Sequence, residues 1–389
     1  MEKIRIGISR CLLGDKVRYD GGHKHDRYIT DTLGQYFEWV PVCPEVEYGL
    51  PVPREAMRLV GNPDSPRLLT IRTGINHTEG MQKWAEDRLD GLEKEGLCGF
   101  IFKSRSPSSG MQGVKVYTES GMSNRKGVGI FARAFMNKFP LLPAEDDGRL
   151  NDPKLRENFI ERIFVLKRWQ EFIKKGGLPK DLVNFQADHK LLMLAHSPKH
   201  VTILGRYAAG SKDYAGKLNQ NMSSGRCRDI PEQTVERRGS SVFVAHVLPS
   251  RLNRSISKSS EAERERLKPL ERNERVCEGC SDTDGGSNDK PGLNDVYFET
   301  MSEGLRLLPT AKKHTNVLHH IMGYFKKQLS IDEKQELLDI IENYHKGLIP
   351  LIVPVTLLCH YVRKYDEPYL KRQYYLNPHP LELMLRNHV

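Results

Sequence analysis

From Met1 to about Leu150 short apolar runs alternate with helical stretches. A parallel sheet with helices packed on it accommodates that rhythm, whereas an all-helical or an all-β fold does not. KIRIGIS, FEWVPVCP, RLLTIRTG and GFIFKS read as strands, and GMQKWAEDRLDGLEKEG, between the last two, as an amphipathic helix. PAEDDGRLNDPKLRENF reads as a charged link. The helix-forming LRENFIERIFVLKRWQEFIKKGG ends at Gly176-Gly177, a usual helix stop.

The second half repeats apolar residues at helical spacing, in DLVNFQADHKLLMLAH, TNVLHHIMGYFKKQLS, IDEKQELLDIIENYHKG and LIPLIVPVTLLCHYVRKY. Between these helices, residues 221–295 are rich in Ser, Arg, Glu and Gly and nearly without apolar periodicity, which is the composition of a disordered insertion. The expected fold is an α/β N-terminal domain with a mainly parallel sheet over 1–150, followed by a linking helix over 151–178. An all-α C-terminal domain then takes 179–220 and 296–389.

The 389 residues carry a formal net charge of +10, which suits a polyanionic partner such as nucleic acid and equally plain solubility. MEKIRIGISR lacks the apolar core of a signal peptide, and no run approaches the ~18 apolar residues of a membrane span, so no membrane and a cytoplasmic location are expected. Seven cysteines are an odd number in a large chain, which favours metal ligation or burial over a disulfide framework.

Three loops share one construction, an apolar strand followed by a small polar loop: IGISRCLLG with Cys11, WVPVCPEVEYGLPVPR with Cys43, and GFIFKSRSPSSG with Ser108 and Ser109. Loops at the carboxyl ends of parallel strands gather on one rim, where ligands bind. Thiolates so placed suit zinc or an iron–sulfur cluster, although buried structural cysteines share the same spacing. Glu45, beside Cys43, is suited to acid–base work. Asp20, His23 and Lys24 around Gly21-Gly22 can shape a small-molecule pocket. Ser106 and Ser108 can orient a substrate, and Arg105 can meet a phosphate. Arg125 and Lys126, ahead of a Gly-broken helix start, suit either an anion site or a solvated loop, the loop being the favoured reading. Cys98 stands before its strand, about 20 Å from Ser109 at roughly 3.3 Å per strand residue, and reads as core, as does Cys359. Cys277 and Cys280 have chelating spacing, but Cys227 and His246 complete no tidy zinc set. In the helical half Lys190, Lys312, Lys313, Lys326 and Lys327, interleaved with Tyr324 and Phe325, suit an RNA-contacting face for phosphates and stacking. The ordinary alternative is a solvated helix face with satisfied core histidines.

GISRCLLGDKVRYDGGHK, PVCPEVEYGLPVPREAMRL and FKSRSPSSGMQGVKVY together resemble the signature blocks of the thiouracil desulfurase (TudS-like) family. HKLLMLAHSPKH, HTNVLHHIMGYFKKQLS, LIPLIVPVTLLCHYV and YYLNPHPLELMLRN resemble the YbgA-type helical domain, and the two in one chain resemble fused tRNA thiouridine desulfidases. The resemblance implies a 4Fe-4S cluster held by three cysteines, with Cys11 and Cys43 as two ligands, Glu45 as acidic catalytic residue and Ser106 as assisting serine. The third ligand position is occupied here by Ser109. The implied activity is removal of sulfur from thiouridine, with 4-thiouridine in tRNA as substrate. A non-catalytic RNA-binding protein with a degenerate cluster site and a free thiopyrimidine desulfurase are the two alternatives.

Overall fold

The structure, a computed structural model, describes residues 3–118, 120–223, 292–380, 383 and 385–387, and over 211–223 the backbone alone. Cys227, His246, Cys277 and Cys280 lie outside the described residues.

The first strand, β1 (Ile4–Ser9), turns Ile4, Ile6 and Ile8 into the core, as its alternation requires. Its Gly7 is needed for packing, since a Cβ there would fall on the ring of Phe100. β1 pairs in parallel with β2 (Phe37–Val42) on one side and β5 (Phe100–Phe102) on the other. β8 (Ala144–Asp146) extends this sheet in parallel beyond β5, giving the order β2-β1-β5-β8. The α/β expectation therefore holds, with one strand inside the segment read as a charged link. The link hides a strand because its buried carboxylates are satisfied: Glu145 accepts from Arg149 Nε at 2.7 Å, and Asp146 accepts from the Arg149 backbone at 2.9 Å.

A second, mixed sheet has the order β4-β3-β6-β7, from β3 (Met57–Val60), β4 (Arg67–Thr70), β6 (Val114–Tyr117) and β7 (Ser123–Gly127). RLLTIRTG supplies β4, antiparallel to β3, outside the parallel sheet. Arg125 and Lys126 lie on β7, an edge strand, and not in a loop. A short helix, α1 (Pro44–Glu47), follows β2. α2 (Thr78–Lys94) buries Met81, Ala85, Leu89 and Leu92 along one face, and packs with α3 (Ile130–Lys138) around Phe100, Phe102, Phe131 and Phe135.

α4 (Pro153–Lys174) is buried on most of its circumference because it packs on both halves of the chain. Its Gln170 accepts from the Cys98 thiol at 3.2 Å, and its Asn158 donates to the carbonyl of Leu305 at 2.8 Å. Trp169 stacks on Phe298 at 4.9 Å. The helical half continues with α5 (Pro179–His196), α6 (Pro198–Ser223), α7 (Leu293–Arg306), α8 (Ala311–Tyr324), α9 (Ile331–His345) and α10 (Ile352–Lys364). At the edges of the segment read as an insertion, 221–223 and 293–295 are thus helical. Cys98 is buried at the base of the sheet, and Cys359 is partly buried against the helical core. Among the described residues no helix is long and apolar enough to cross a membrane.

A buried ion network fastens the C-terminal segment to α4. Arg386 donates to Glu157 at 3.2 Å, to Glu161 at 3.0 Å and to the carbonyl of Tyr375 at 2.6 Å, and His196 Nε2 lies 3.1 Å from Glu161. Burial raises the Glu157 carboxyl, with Glu161 adding to the effect. Glu161 is held well below the usual range, because the contacts to His196 and Arg386 outweigh its burial. Glu157, Glu161 and His379 have the spacing of a metal site, but the cation between the carboxylates is already the Arg386 guanidinium.

Candidate active site

The register of the parallel sheet brings the three polar loops to one rim. Ser9 at the end of β1 is opposite Val42 at the end of β2, and Ile8 is opposite Ile101 of β5. The chain leaves β1 into a single 3₁₀ turn, Arg10–Leu13, that carries Cys11. Cys43 caps α1, and its backbone N–H donates to Glu47 at 2.8 Å, with Glu47 in turn 3.0 Å from Arg88. The loop after β5 is tied to β1 by the Lys103 N–H, which donates to Ser9 Oγ at 2.8 Å.

The serine loop is fixed from below by α3. Its carbonyls at Pro107 and Ser108 accept from Ile130 and Ala132, the otherwise orphaned donors of the helix start, at 3.2 and 3.1 Å. Gly129 is required at this crossing, since a Cβ would fall on the carbonyl of Ser108. Arg105 takes a left-handed backbone, φ 60°, which costs a non-glycine residue about 1 kcal/mol or more and recurs at functional sites.

A cavity of about 390 Å³ opens on this rim. Cys11, Cys43, Glu45, Ser106 and Ser109 line it, with Lys24 and Arg105. Both thiols are short of water: burial pushes Cys11 up to about 11, against the pull of Lys103, and Cys43 up to about 12, with Glu45 adding to the effect. The thiol of Cys43 lies 3.6 Å from Glu45 Oε2, which is also 3.7 Å from Arg54 Nη2. Glu45 Oε1 accepts from Ser108 Oγ at 2.6 Å, and Ser108 Oγ is 3.0 Å from Ser106 Oγ. Ser106 Oγ also accepts from the Ser109 N–H at 3.2 Å.

Three expected contacts fall elsewhere. Ser108 is 0% exposed and faces Glu45 beneath the cavity, so it is not in position to meet a substrate. Asp20 spends its carboxylate on the turn, accepting from Gly22 at 3.0 Å and pairing with Arg18, which holds it below its ordinary value. His23 accepts from the His25 N–H at 3.1 Å, and neither it nor Asp20 lines the cavity. The same loop nevertheless serves the site, because the Lys24 N–H donates to the carbonyl of Cys11 at 2.9 Å. Cationic residues not singled out in the sequence, Arg10, Arg18, Arg54 and Lys103, join the lining. Arg54 was readable only as the end of PVPR in the Cys43 loop.

In the helical half Lys190, Lys312, Lys326 and Lys327 are exposed, whereas Lys313 donates to the carbonyl of His196 at 2.6 Å. Phe325 is 0% exposed and packs in the core, so it cannot stack on a base; Tyr324 is half exposed and stacks on Tyr369 at 5.4 Å. His189, His196 and His314 are buried, and His319 and His320 are exposed.

Residues 6–147 match the family model of 2-thiouracil desulfurase, and residues 284–380 match a family described as protein of unknown function, DUF1722. The uncharacterised protein YbgA of Escherichia coli (strain K12) is 36% identical over 98 residues, which are 24% of this chain and 58% of that protein. The chain thus spans a little over half the length of that curated relative. Among solved structures, a [4Fe-4S]-dependent thiouracil desulfidase, TudS, is similar at 29% identity, covering 39% of this chain and 95% of that one, with a TM-score of 0.32. The N-terminal part of the chain is thus similar to 2-thiouracil desulfurases, and its C-terminal part to the DUF1722 family.

Proposed function

We propose that this protein is an iron–sulfur desulfidase that removes sulfur from thiolated pyrimidines, with 4-thiouridine in tRNA as its substrate. The observation that carries the reading is the convergence of Cys11, Cys43, Glu45, Ser106 and Ser109, from three separate loops, on one cavity.

The donor set fits a cluster held at three points, with an oxygen in place of one sulfur. Cys11 and Cys43 are soft donors whose protons a bound metal would displace, and Ser109, 3% exposed, lines the same cavity. Serine is a harder donor whose alkoxide is costly near neutral pH, so the third attachment should be weaker than a thiolate's. When bound, the cluster would supply an open iron as Lewis acid toward the thiocarbonyl sulfur.

The protein groups supply the rest. The net reaction is hydrolytic: water adds at the thiocarbonyl carbon, the carbonyl forms and sulfide leaves, with no net change of oxidation state. Glu45 serves as base toward that water. Ser106 and the hydroxyl chain behind it steady the protons. Lys24 and Arg105, exposed at the cavity, attract the phosphates that flank the nucleotide. Lys190, Lys312, Lys326 and Lys327 extend the phosphate contacts over the helical half, in keeping with the net charge of +10.

The test is to reconstitute the full chain anaerobically with iron and sulfide and offer it 4-thiouridine-containing tRNA or free 4-thiouracil. The proposal expects the tRNA to lose its thiouridine absorbance faster than the free base. Reversing charge at Lys312, Lys326 and Lys327 should slow the tRNA reaction more than the free-base reaction. Desulfurisation of the base with tRNA untouched would assign the protein to free thiopyrimidines. Binding of tRNA with no sulfur released, even by Ser109→Cys, would leave the non-catalytic reading that Ser109 itself favours.

A further inference from the structure

We infer that Ser108 is a positioning residue: it fixes the carboxylate of Glu45 and joins it to Ser106 as one hydrogen-bonded unit. The inference rests on the desulfidase reading of the site. Ser108 is wholly buried and absent from the cavity lining, so its hydroxyl has no ligand to meet. It sits instead between the two residues to which proton handling falls, 2.6 Å from Glu45 Oε1 and 3.0 Å from Ser106 Oγ.

The polarity of the chain follows from counting hydrogens. A carboxylate oxygen only accepts, so the single Ser108 hydroxyl hydrogen points to Glu45, and Ser106 must donate to Ser108. Ser106 Oγ in turn accepts from the backbone N–H groups of Ser109 and Ser108, at 3.2 and 3.4 Å, which fill its acceptor side. Each hydroxyl therefore has one orientation. The other carboxylate oxygen is held more loosely, 3.6 Å from the Cys43 sulfur and 3.7 Å from Arg54, so the short bond from Ser108 sets the plane of the group.

The anchor itself is rigid. Ser108's carbonyl accepts from Ala132 at 3.1 Å, and the carbonyl of Gly110 accepts from Gly129 at 2.8 Å, so α3 fixes the backbone that carries the hydroxyl. Ser108 thus transmits the position of α3 to a carboxylate on α1, the short helix after β2. A base held to one orientation is in reach of its proton more of the time, and small misplacements cost about 10²-fold in rate.

The experiment compares the full chain with Ser108→Ala, Ser108→Thr, Glu45→Gln and the Ser108→Ala/Glu45→Gln double variant. In the iron-loaded proteins, Ser108→Ala should lower kcat on 4-thiouracil about 10²-fold, with KM within about twofold and iron content unchanged. Ser108→Thr should restore most of the rate, and Ser108→Ala should cost nothing further on top of Glu45→Gln. A second measurement is independent of turnover: infrared difference spectra of ¹³C-glutamate-labelled, metal-free chain against Glu45→Gln isolate the Glu45 carboxylate band. That band should shift in Ser108→Ala and return in Ser108→Thr. Full kcat in Ser108→Ala, loss of iron, costs that multiply with Glu45→Gln, or an unmoved band would each overturn the inference. A protein that desulfurises nothing, yet shows the band shift and its return, would refute the proposed function and leave the positioning intact.

Discussion

At the scale of single residues, three cysteines of the N-terminal half are kept from water. Cys11, Cys43 and Cys98 are buried, and their thiols are pushed up to about 11, about 12 and about 12, burial being the main cause for each. Above the ordinary thiol value of 9.0 the unfolded chain gives up protons that the folded chain retains, so stability is full below that pH and falls as pH rises toward the folded values. In metal-free protein, denaturant titrations between about pH 8 and about pH 11 should show this loss, and a Cys11→Ser/Cys43→Ser variant should show less of it. An equal slope in the two would contradict the assigned burial. Gly129 gives a sharper test of the loop. Gly129→Ala should cost about 1–3 kcal/mol in urea unfolding, because the new methyl group meets backbone and not a movable side chain.

At the scale of elements, α4 is where the two halves meet. Removing Arg386 as Arg386→Met would leave Glu157 and Glu161 buried without their guanidinium and should cost about 3–5 kcal/mol, read as the shift in urea midpoint. A change below about 1 kcal/mol would mean that the network is open to water. The strands that carry the site were legible because β1, β2 and β5 are short apolar runs ending in small polar loops. β7 and β8 were not. SNRKG has no apolar alternation and lies on an edge, and AED contains carboxylates that turn inward only because Arg149 meets them. Burial at the level of one hydroxyl was equally illegible: Ser106 and Ser108 are alike in sequence, and only the docking of α3 beneath the loop separates the one that lines the cavity from the one behind it. Phe325 shows the same limit, since helical spacing did not tell which ring of Tyr324-Phe325 faced the core.

At the scale of the whole molecule, one contiguous core runs from β1 through α4 to α10, so the helical half is packed on the sheet rather than tethered to it. If Lys190, Lys312, Lys326 and Lys327 meet phosphates, tRNA affinity should fall about 10²-fold between about 50 and about 200 mM salt, and each charge removed should flatten the dependence. Affinity indifferent to salt would remove RNA from the account.

The proposed function requires Cys11, Cys43 and Ser109 to hold one cluster between them. It is tested most directly by measuring iron and sulfide per chain after anaerobic reconstitution, for the protein and for Ser109→Cys, Cys11→Ser and Cys43→Ser. Substoichiometric, labile iron is expected in the protein itself, a full and more durable complement in Ser109→Cys, and almost none when either cysteine is lost. Iron content that is the same in all four proteins would contradict it.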